Sequence, residues 1–373
     1  MKQGNKIKIS VTAAVLCLLL LILSIPANAG LDIGGEIKTA VGLSVNRDGK
    51  TNNFNRQEIN FKIYPPAYGN TDAKFEIKLY HDSLTKKSDY FVKKLYIEHR
   101  FDKFQLTAGR QPVSWSFGSL LNPVDYNTGA VVMEETTNGK FINAVEGYIP
   151  INWNSGITAV ISFPDNSEEL KWGLRNRFGY NGYDINLNII HEAEMQISGL
   201  VIPSTDRIGL FFKGDLGPVG LYGAVGYYDN ENLKTTTYLL GTDYSYSLNY
   251  GSNKLSFQLE YLNLEPENLD NIIGSIVPVI YTGSEQRVDF ILGNVNYTID
   301  NFSSVSLMGI SCIEDGSTLL IPSYKNQLGS NLDVHVRGGL YLGDKSELFA
   351  PRKITEEISI PEGTFEMELS YPF

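Results

Sequence analysis

From residue 30 onward the chain repeats one pattern: segments of about ten residues in which apolar and polar side chains alternate, with no apolar run long enough (roughly 18 residues) for a membrane helix. Ile59, Phe61 and Ile63 alternate with Glu58, Asn60 and Lys62, and Phe75, Ile77 and Leu79 with Lys74, Glu76 and Lys78. Leu255, Phe257, Leu259 and Tyr261 alternate with Lys254, Ser256, Gln258 and Glu260, and Leu332, Val334 and Val336 with Asp333, His335 and Arg337. A period of two describes a strand with one apolar face. The pattern predicts strands near 31–44, 54–64, 72–81, 91–101, 103–110, 139–149, 155–163, 169–179, 183–192, 206–214, 217–228, 235–247, 252–262, 286–298, 302–312, 316–324, 329–341 and 363–373. The count is eighteen, an even number as a closed up-and-down antiparallel membrane barrel needs, with sixteen as the alternative.

The connections carry separate information. Asp102-Lys103, Asn181-Gly182, Leu216-Gly217, Tyr250-Gly251 and Asp300-Asn301 read as tight turns rich in Asn, Asp and Gly. Every second connection is short, whereas the three longest, near 111–138, 263–285 and 342–362, fall on the other end. Short periplasmic turns opposite long external loops are the asymmetry of a bacterial membrane barrel. A closed barrel pairs every backbone donor and acceptor within the wall, which is what lets strands cross lipid. Tyr64, Tyr96, Tyr180, Tyr228, Tyr297 and Tyr341, at or near strand ends, are expected to form the aromatic girdles at the two interfaces.

Residues 1–29 read as a cleaved export signal: Lys2, Lys6 and Lys8 precede an apolar Val11–Ile25 core and a small-x-small Ala27-Asn28-Ala29 site. Residues 30–373 are then one domain. Loss of the three signal lysines leaves 28 basic residues of the original 31 against 42 acidic ones, about −14, a balance that argues against nucleic acid as a partner. Cys17 leaves with the signal, so Cys312 is the sole mature cysteine, which excludes an intramolecular disulfide or a cysteine-built metal site.

The segment Phe365-Glu-Met-Glu-Leu-Ser-Tyr-Pro-Phe373 alternates up to a terminal aromatic. It resembles the closing strand of outer-membrane β-barrels, and the resemblance implies that Phe373 acts as an assembly signal read by the barrel assembly machinery. Gly109-Arg110-Gln111, Trp115, Asn122-Pro123 and Asp125 form a second signature, similar to a Gly-Arg-Gln-x3-Trp and Asn-Pro-x-Asp motif of porin-like proteins, including poorly characterised porin families and alginate-export-type barrels. Those families usually carry Gly after the Trp, where this chain has Ser116. The resemblance implies a channel in the outer membrane of a diderm bacterium, passing small hydrophilic solutes by passive or facilitated diffusion, with the third external loop as constriction.

Pore candidates follow. Arg110, Gln111, Trp115, Asn122 and Asp125 open the third loop, and Arg110 offers a rigid fork to a carboxylate or phosphate. Lys171, Arg175 and Arg177 share one strand face with Leu170, Trp172 and Leu174 on the other, and Arg100 joins them. A charge facing lipid at mid-depth costs about 2–4 kcal/mol, which turns this basic face toward the lumen. Glu58, Glu76, Glu98, Glu260, Asp333, Glu366 and Glu368 share the lumen, so ion pairing across a mixed interior is expected rather than simple anion selectivity. The four histidines, His81, His99, His191 and His335, have no metal-ligand spacing, and no nucleophile elbow, phosphate loop or dinucleotide fingerprint is present. The chain therefore reads as a non-enzyme without cofactor or metal. A receptor or structural barrel is the alternative, an outer-membrane hydrolase a weaker one, and association with further copies of the chain is left open.

Overall fold

The computed structural model describes residues 30–83, 86–115, 119–127, 141–164, 169–197, 200–231, 234–249, 253–264, 287–344, 347–353 and 359–373. The signal at 1–29, Ser116 and the Tyr250-Gly251 turn lie outside these residues.

Eighteen antiparallel strands close into one barrel. In chain order they are β1 (Asp32–Val45), β2 (Thr51–Tyr64), β3 (Thr71–Asp82), β4 (Lys87–Arg100), β5 (Gln105–Pro112), β6 (Phe141–Asn152), β7 (Ser155–Ser162), β8 (Lys171–Tyr180) and β9 (Tyr183–Glu192). A small hairpin, β10 (Met195–Ile197) and β11 (Leu200–Ile202), stands outside the wall. The wall continues with β12 (Thr205–Leu216), β13 (Val219–Asn230), β14 (Lys234–Leu248), β15 (Asn253–Leu264), β16 (Val288–Thr298), β17 (Ser303–Cys312), β18 (Thr318–Leu328) and β19 (Leu332–Leu342). After the two-residue strands β20 (Arg352–Lys353) and β21 (Ser359–Ile360), β22 (Gly363–Pro372) closes the ring. It pairs with β19 on one side and with β1 on the other, from Val45↔Gly363 to Glu36↔Pro372. The seam ends on Phe373, whose backbone exchanges hydrogen bonds of 2.9 and 3.0 Å with Gly35 and whose ring meets Phe61 edge-on at 6.0 Å.

Each expected strand has a counterpart, and the ends differ for a physical reason. β2 begins at Thr51 rather than 54 and β4 at Lys87 rather than 91. Beyond the lipid both strand faces meet water, so alternation fades while the backbone ladder runs on.

The connections sort by end. Turns at 101–104, 153–154, 181–182, 217–218, 299–302 and 329–331 lie on one side, and 113–140, 265–287 and 343–362 on the other. At 181–182 both residues have positive φ, 49° for Asn181 and 85° for Gly182, the backbone of a two-residue hairpin turn whose twist matches the strands.

Side chains divide by parity. Ile37, Val41, Ile97, Leu210, Leu259 and Leu307 point outward and are exposed, forming an apolar belt. A closed wall with an outward apolar belt is a membrane-spanning structure. Inside, the surface is divided. Glu58, Asn60, Glu76, Lys78, Arg337 and Glu366 make the side around β2–β4, β19 and β22 polar. Around β12–β18, towards the long loops, most inward residues other than Arg207 and Glu260 are apolar: Phe211, Leu239, Leu262, Phe290, Ile310 and Leu319 belong to one buried cluster, together with Cys312. Two assignments to the girdles change accordingly. Tyr228 is buried inside the barrel, and Tyr341 packs against the same interior cluster.

Candidate functional site

The interior apolar cluster is covered from within by loop residues. Leu120, Leu121 and Val124 come from the connection after β5, and Leu348 and Phe349 from the one after β19. The first of these segments, Val113–Trp115 and Ser119–Asn127, is held by many polar groups.

Its internal fold follows from short polar residues. The Asp125 carboxylate accepts the Trp115 backbone N–H at 2.6 Å and the Ser114 hydroxyl at 2.7 Å, which ties the two parts of the segment together. Asn122 accepts the Val124 N–H at 3.0 Å through Oδ1, while Asn127 donates to the Val113 carbonyl at 2.7 Å. These are the side-chain-to-backbone bonds that Asn and Asp make in place of regular structure. Trp115, 2% exposed, lies 5.1 Å from the fully buried Tyr126 ring.

Three ionised side chains of the wall clamp that loop. Lys171 of β8 donates to the Tyr126 carbonyl at 2.6 Å and to Asn127 Oδ1 at 3.2 Å. Arg207 of β12 donates to the carbonyls of Asp125 at 2.9 Å and Tyr126 at 3.0 Å. Glu192 of β9 sits between them, 3.0 Å from Lys171 and ion-paired with Arg207 as well. A buried charge is tolerable only when paired and hydrogen-bonded, and here the two cations share a carboxylate and the loop's carbonyl dipoles. Around this centre the Tyr228 hydroxyl donates to the Pro123 carbonyl, the Asn188 amide to the Val124 carbonyl at 3.1 Å, and Tyr126 and Ser162 join their hydroxyls at 2.9 Å. Farther round, Glu260 of β15 accepts the Leu120 N–H at 2.7 Å and the Tyr222 hydroxyl at 2.7 Å.

Glycine makes room for the close approach at two positions. A Cβ on Gly209 would stand 2.8 Å from the Val124 side chain, and one on Gly173 2.8 Å from both Trp115 and Tyr126.

The sequence candidates divide three ways. Gln111, Trp115, Asn122, Asp125 and Lys171 come together in or beside the clamp, with Gln111 buried and donating to the Ala144 carbonyl at 3.1 Å. Arg175 reaches the same cluster from below, its guanidinium carbon 5.6 Å from the Trp115 ring. Arg110, Arg177 and Arg100 stand apart. Arg110 occupies the last paired position of β4 with β5, next to a register shift in β4; it donates to the Val92 carbonyl at 2.6 Å and lies 4.7 Å above the Phe91 ring. Arg177 pairs with Asp184 at 3.0 Å and Arg100 with Glu98 at 2.8 Å, both beside short turns. The polar side of the lumen is paired too: Lys78 with Glu58 at 2.6 Å, Lys94 with Glu76 at 2.8 Å, Arg337 with Glu366 at 2.5 Å.

Glu192, Arg207 and Tyr228 were missed by sequence reasoning. The only signal was parity: Arg207 lies on the strand face opposite Ile208 and Leu210, which marks it as inward but not as a loop anchor. Histidines pair in separate places, His81 with Ser88 at 2.8 Å, His99 with Thr71 at 2.7 Å and His191 with Asp206 at 2.7 Å.

No family model matches the chain, and no curated protein matches its sequence. Solved structures do. It is similar to OccAB1 of Acinetobacter baumannii, with 9% identity over 92% of this chain and 96% of that one and a TM-score of 0.53. OpdK of Pseudomonas aeruginosa, solved with vanillate, matches at 10% identity over 92% and 98% of the two chains with a TM-score of 0.51. Wzi of Escherichia coli, described as an outer-membrane protein involved in group 1 capsule assembly and a carbohydrate-binding β-barrel, matches at 14% over 90% and 84% with a TM-score of 0.56. The chain has the fold of an outer-membrane β-barrel. At these identities the likeness is one of fold, so what the barrel does has to be argued from its interior.

Proposed function

We propose that the protein is a porin-like channel through which small hydrophilic solutes cross the outer membrane by passive or facilitated diffusion, narrowed by the third external loop. The observation that carries this reading is the Lys171–Glu192–Arg207 clamp: a buried arginine, and the partly buried lysine and glutamate joined to it, fix the segment ending in Asn127 against the inner face of the wall. A loop needed only outside the membrane would gain nothing from such anchors, because buried ion pairs add little net stability but impose one geometry. The polar side around β2–β4, β19 and β22 lies away from the clamp and is the wetter route. Ordering of the loop by its own Asp and Asn bonds lowers the entropy cost of holding it there.

The runner-up is a receptor or structural barrel, favoured by the apolar cluster that two loops cover inside β12–β18. Planar-bilayer recordings on the full chain separate the two. A channel gives stepwise ion conductance that rises when residues 116–135 are deleted; a receptor or structural barrel stays sealed with and without that segment, and that outcome would overturn the channel reading. Assembly by the barrel assembly machinery through Phe373, and association with further copies, belong to the same proposal.

A further inference from the structure

Below the clamp, towards the short turns, one level of the inner faces of β14–β18 is lined by uncharged polar residues, with Asp243, Met308 and Ile321 on the level above and Lys254 and Lys325 on the level below. Backbone register places Ser245 beside Ser256, Ser256 beside Asn296, Asn296 beside Ser306 and Ser306 beside Ser323. These residues form one continuous rung across five strands. Its inward orientation is fixed by its neighbours, since Phe257, Val295, Val305 and Leu307 between them are exposed on the lipid face. One rung higher, Asp243, Gln258 and Asn294 are register partners. Within the rung the hydroxyls bond to one another, Ser245 with Ser256 at 3.0 Å and Ser306 with Ser323 at 2.7 Å, while Gln258 on the level above donates to the Tyr222 hydroxyl at 2.8 Å and to the Glu260 carboxylate at 2.9 Å. Where the rung passes Ser323 it meets Arg337, whose charge is taken by Glu366 at 2.5 Å.

Hydroxyls and carboxamides donate and accept at once, whereas ammonium groups only donate and carboxylates only accept. A surface of the first kind exchanges hydrogen bonds with a solute that is itself dense in hydroxyls without stripping an ion of its water. Lys78–Glu58 and Lys94–Glu76 across the lumen, and Arg337–Glu366 beside the rung, are mutually neutralised and offer a passing ion little net attraction. We infer that the Ser245–Ser256–Asn296–Ser306–Ser323 rung is a transit site for neutral polyhydroxylated solutes, of the size and chemistry of small sugars. The inference rests on the channel reading and names the solute class that the channel favours.

The test uses the full chain in proteoliposomes, with sucrose, glutamate and arginine as probes, and ion conductance recorded in parallel. The unmodified protein admits sucrose faster than it admits either amino acid. A Ser256→Val, Asn296→Leu, Ser306→Val variant keeps the strand pattern, removes the hydrogen-bonding groups, and lowers sucrose entry about fivefold while glutamate and arginine entry stay within about twofold. Equal or slower sucrose entry in the unmodified protein overturns the inference even if the variant does not fold, and so does a parallel fall of all three solutes in a folded variant. Absence of ion conductance in the unmodified protein would instead strike the channel reading itself.

Discussion

Substituting Arg207 separates the loop from the wall more cleanly than any other single change. Arg207→Met preserves most of the side-chain volume but removes two hydrogen bonds to loop carbonyls, at 2.9 Å to Asp125 and 3.0 Å to Tyr126, together with the ion pair to Glu192. Breaking one partner out of a buried ion pair costs about 3–5 kcal/mol. Because Glu192 retains Lys171 at 3.0 Å, the lower end applies, and about 3 kcal/mol is a factor of about 150 in the ratio of docked to undocked loop. The wall is spared, since the backbone of Arg207 stays in register with Ile190 and Tyr228.

Two measurements read that ratio. Protease cleavage within 113–127 in intact proteoliposomes rises with the undocked population, and single-channel recordings gain conductance and open-state noise as the segment leaves the lumen. The heat-induced mobility shift of the folded barrel stays where it was. Glu192→Gln is the control for charge: it keeps an acceptor for Arg207 and Lys171, and a double-mutant cycle with Arg207→Met gives a coupling of about 1 kcal/mol or more if the pair acts as drawn. Unchanged cleavage and unchanged conductance in correctly folded Arg207→Met would refute the clamp as the loop's anchor.

Two further outcomes are specific. Asp315, in the connection between β17 and β18, accepts the Leu348 N–H at 2.7 Å and the Ser317 hydroxyl at 2.7 Å; burial pushes its carboxyl up, but these bonds and the Ser317 N–H outweigh that and hold it below the usual 3.8. A depressed value stabilises the bound form above the ordinary carboxylate range and is lost as pH falls through it, so the loop carrying Leu348 and Phe349 becomes protease-sensitive below about pH 3.8, and Asp315→Asn produces the same sensitivity at pH 7; an Asn variant as resistant as the parent at pH 7 would dismiss the clasp. Phe373→Ala removes the ring that meets Phe61 but keeps the backbone bonds to Gly35, so detergent refolding persists while the amount of folded barrel in the outer membrane of cells drops several-fold; equal losses in both settings would make Phe373 a packing residue rather than a signal.

The wall was legible because lipid outside and water inside each impose a rule on alternate residues, and Ile59-Asn60-Phe61 or Phe257-Gln258-Leu259 obey both at once. The start of the loop was legible as well, since Asp125, Asn122 and Trp115 act on one another over a few residues. Its anchors were not. Lys171, Glu192 and Arg207 lie on three strands and meet only when register and closure are fixed, and a single Arg among alternating residues looks the same whether it faces water or a carbonyl. Tyr228 and Tyr341 show the same limit from the other side: a tyrosine near a strand end suits an interfacial girdle or an interior cluster equally, and parity at the end of a strand is the least certain part of the pattern. Arg110 was singled out by its motif, and the structure sets it against Val92 and Phe91, where β4 and β5 part.

The interior cluster also decides which perturbations can be interpreted. Lipid covers apolar residues outside the barrel, but Leu239, Leu262, Phe290 and Ile310 point inward, where only loop residues can shield them from water. Leu120, Leu121, Leu348 and Phe349 therefore perform for the lumen what a second layer performs for a soluble sheet. Deleting the third loop exposes several of these side chains, at about 1.5–3 kcal/mol for each one fully uncovered, so a deletion variant changes both the width of the passage and the cohesion of the barrel's interior. Conductance gained by deletion alone would thus mix two causes. Arg207→Met leaves Leu120 and Leu121 in the chain, free to re-cover the cluster, and its effect on conductance isolates the anchoring of the loop; the difference between the two variants measures how much of the apparent gate is hydrophobic cover.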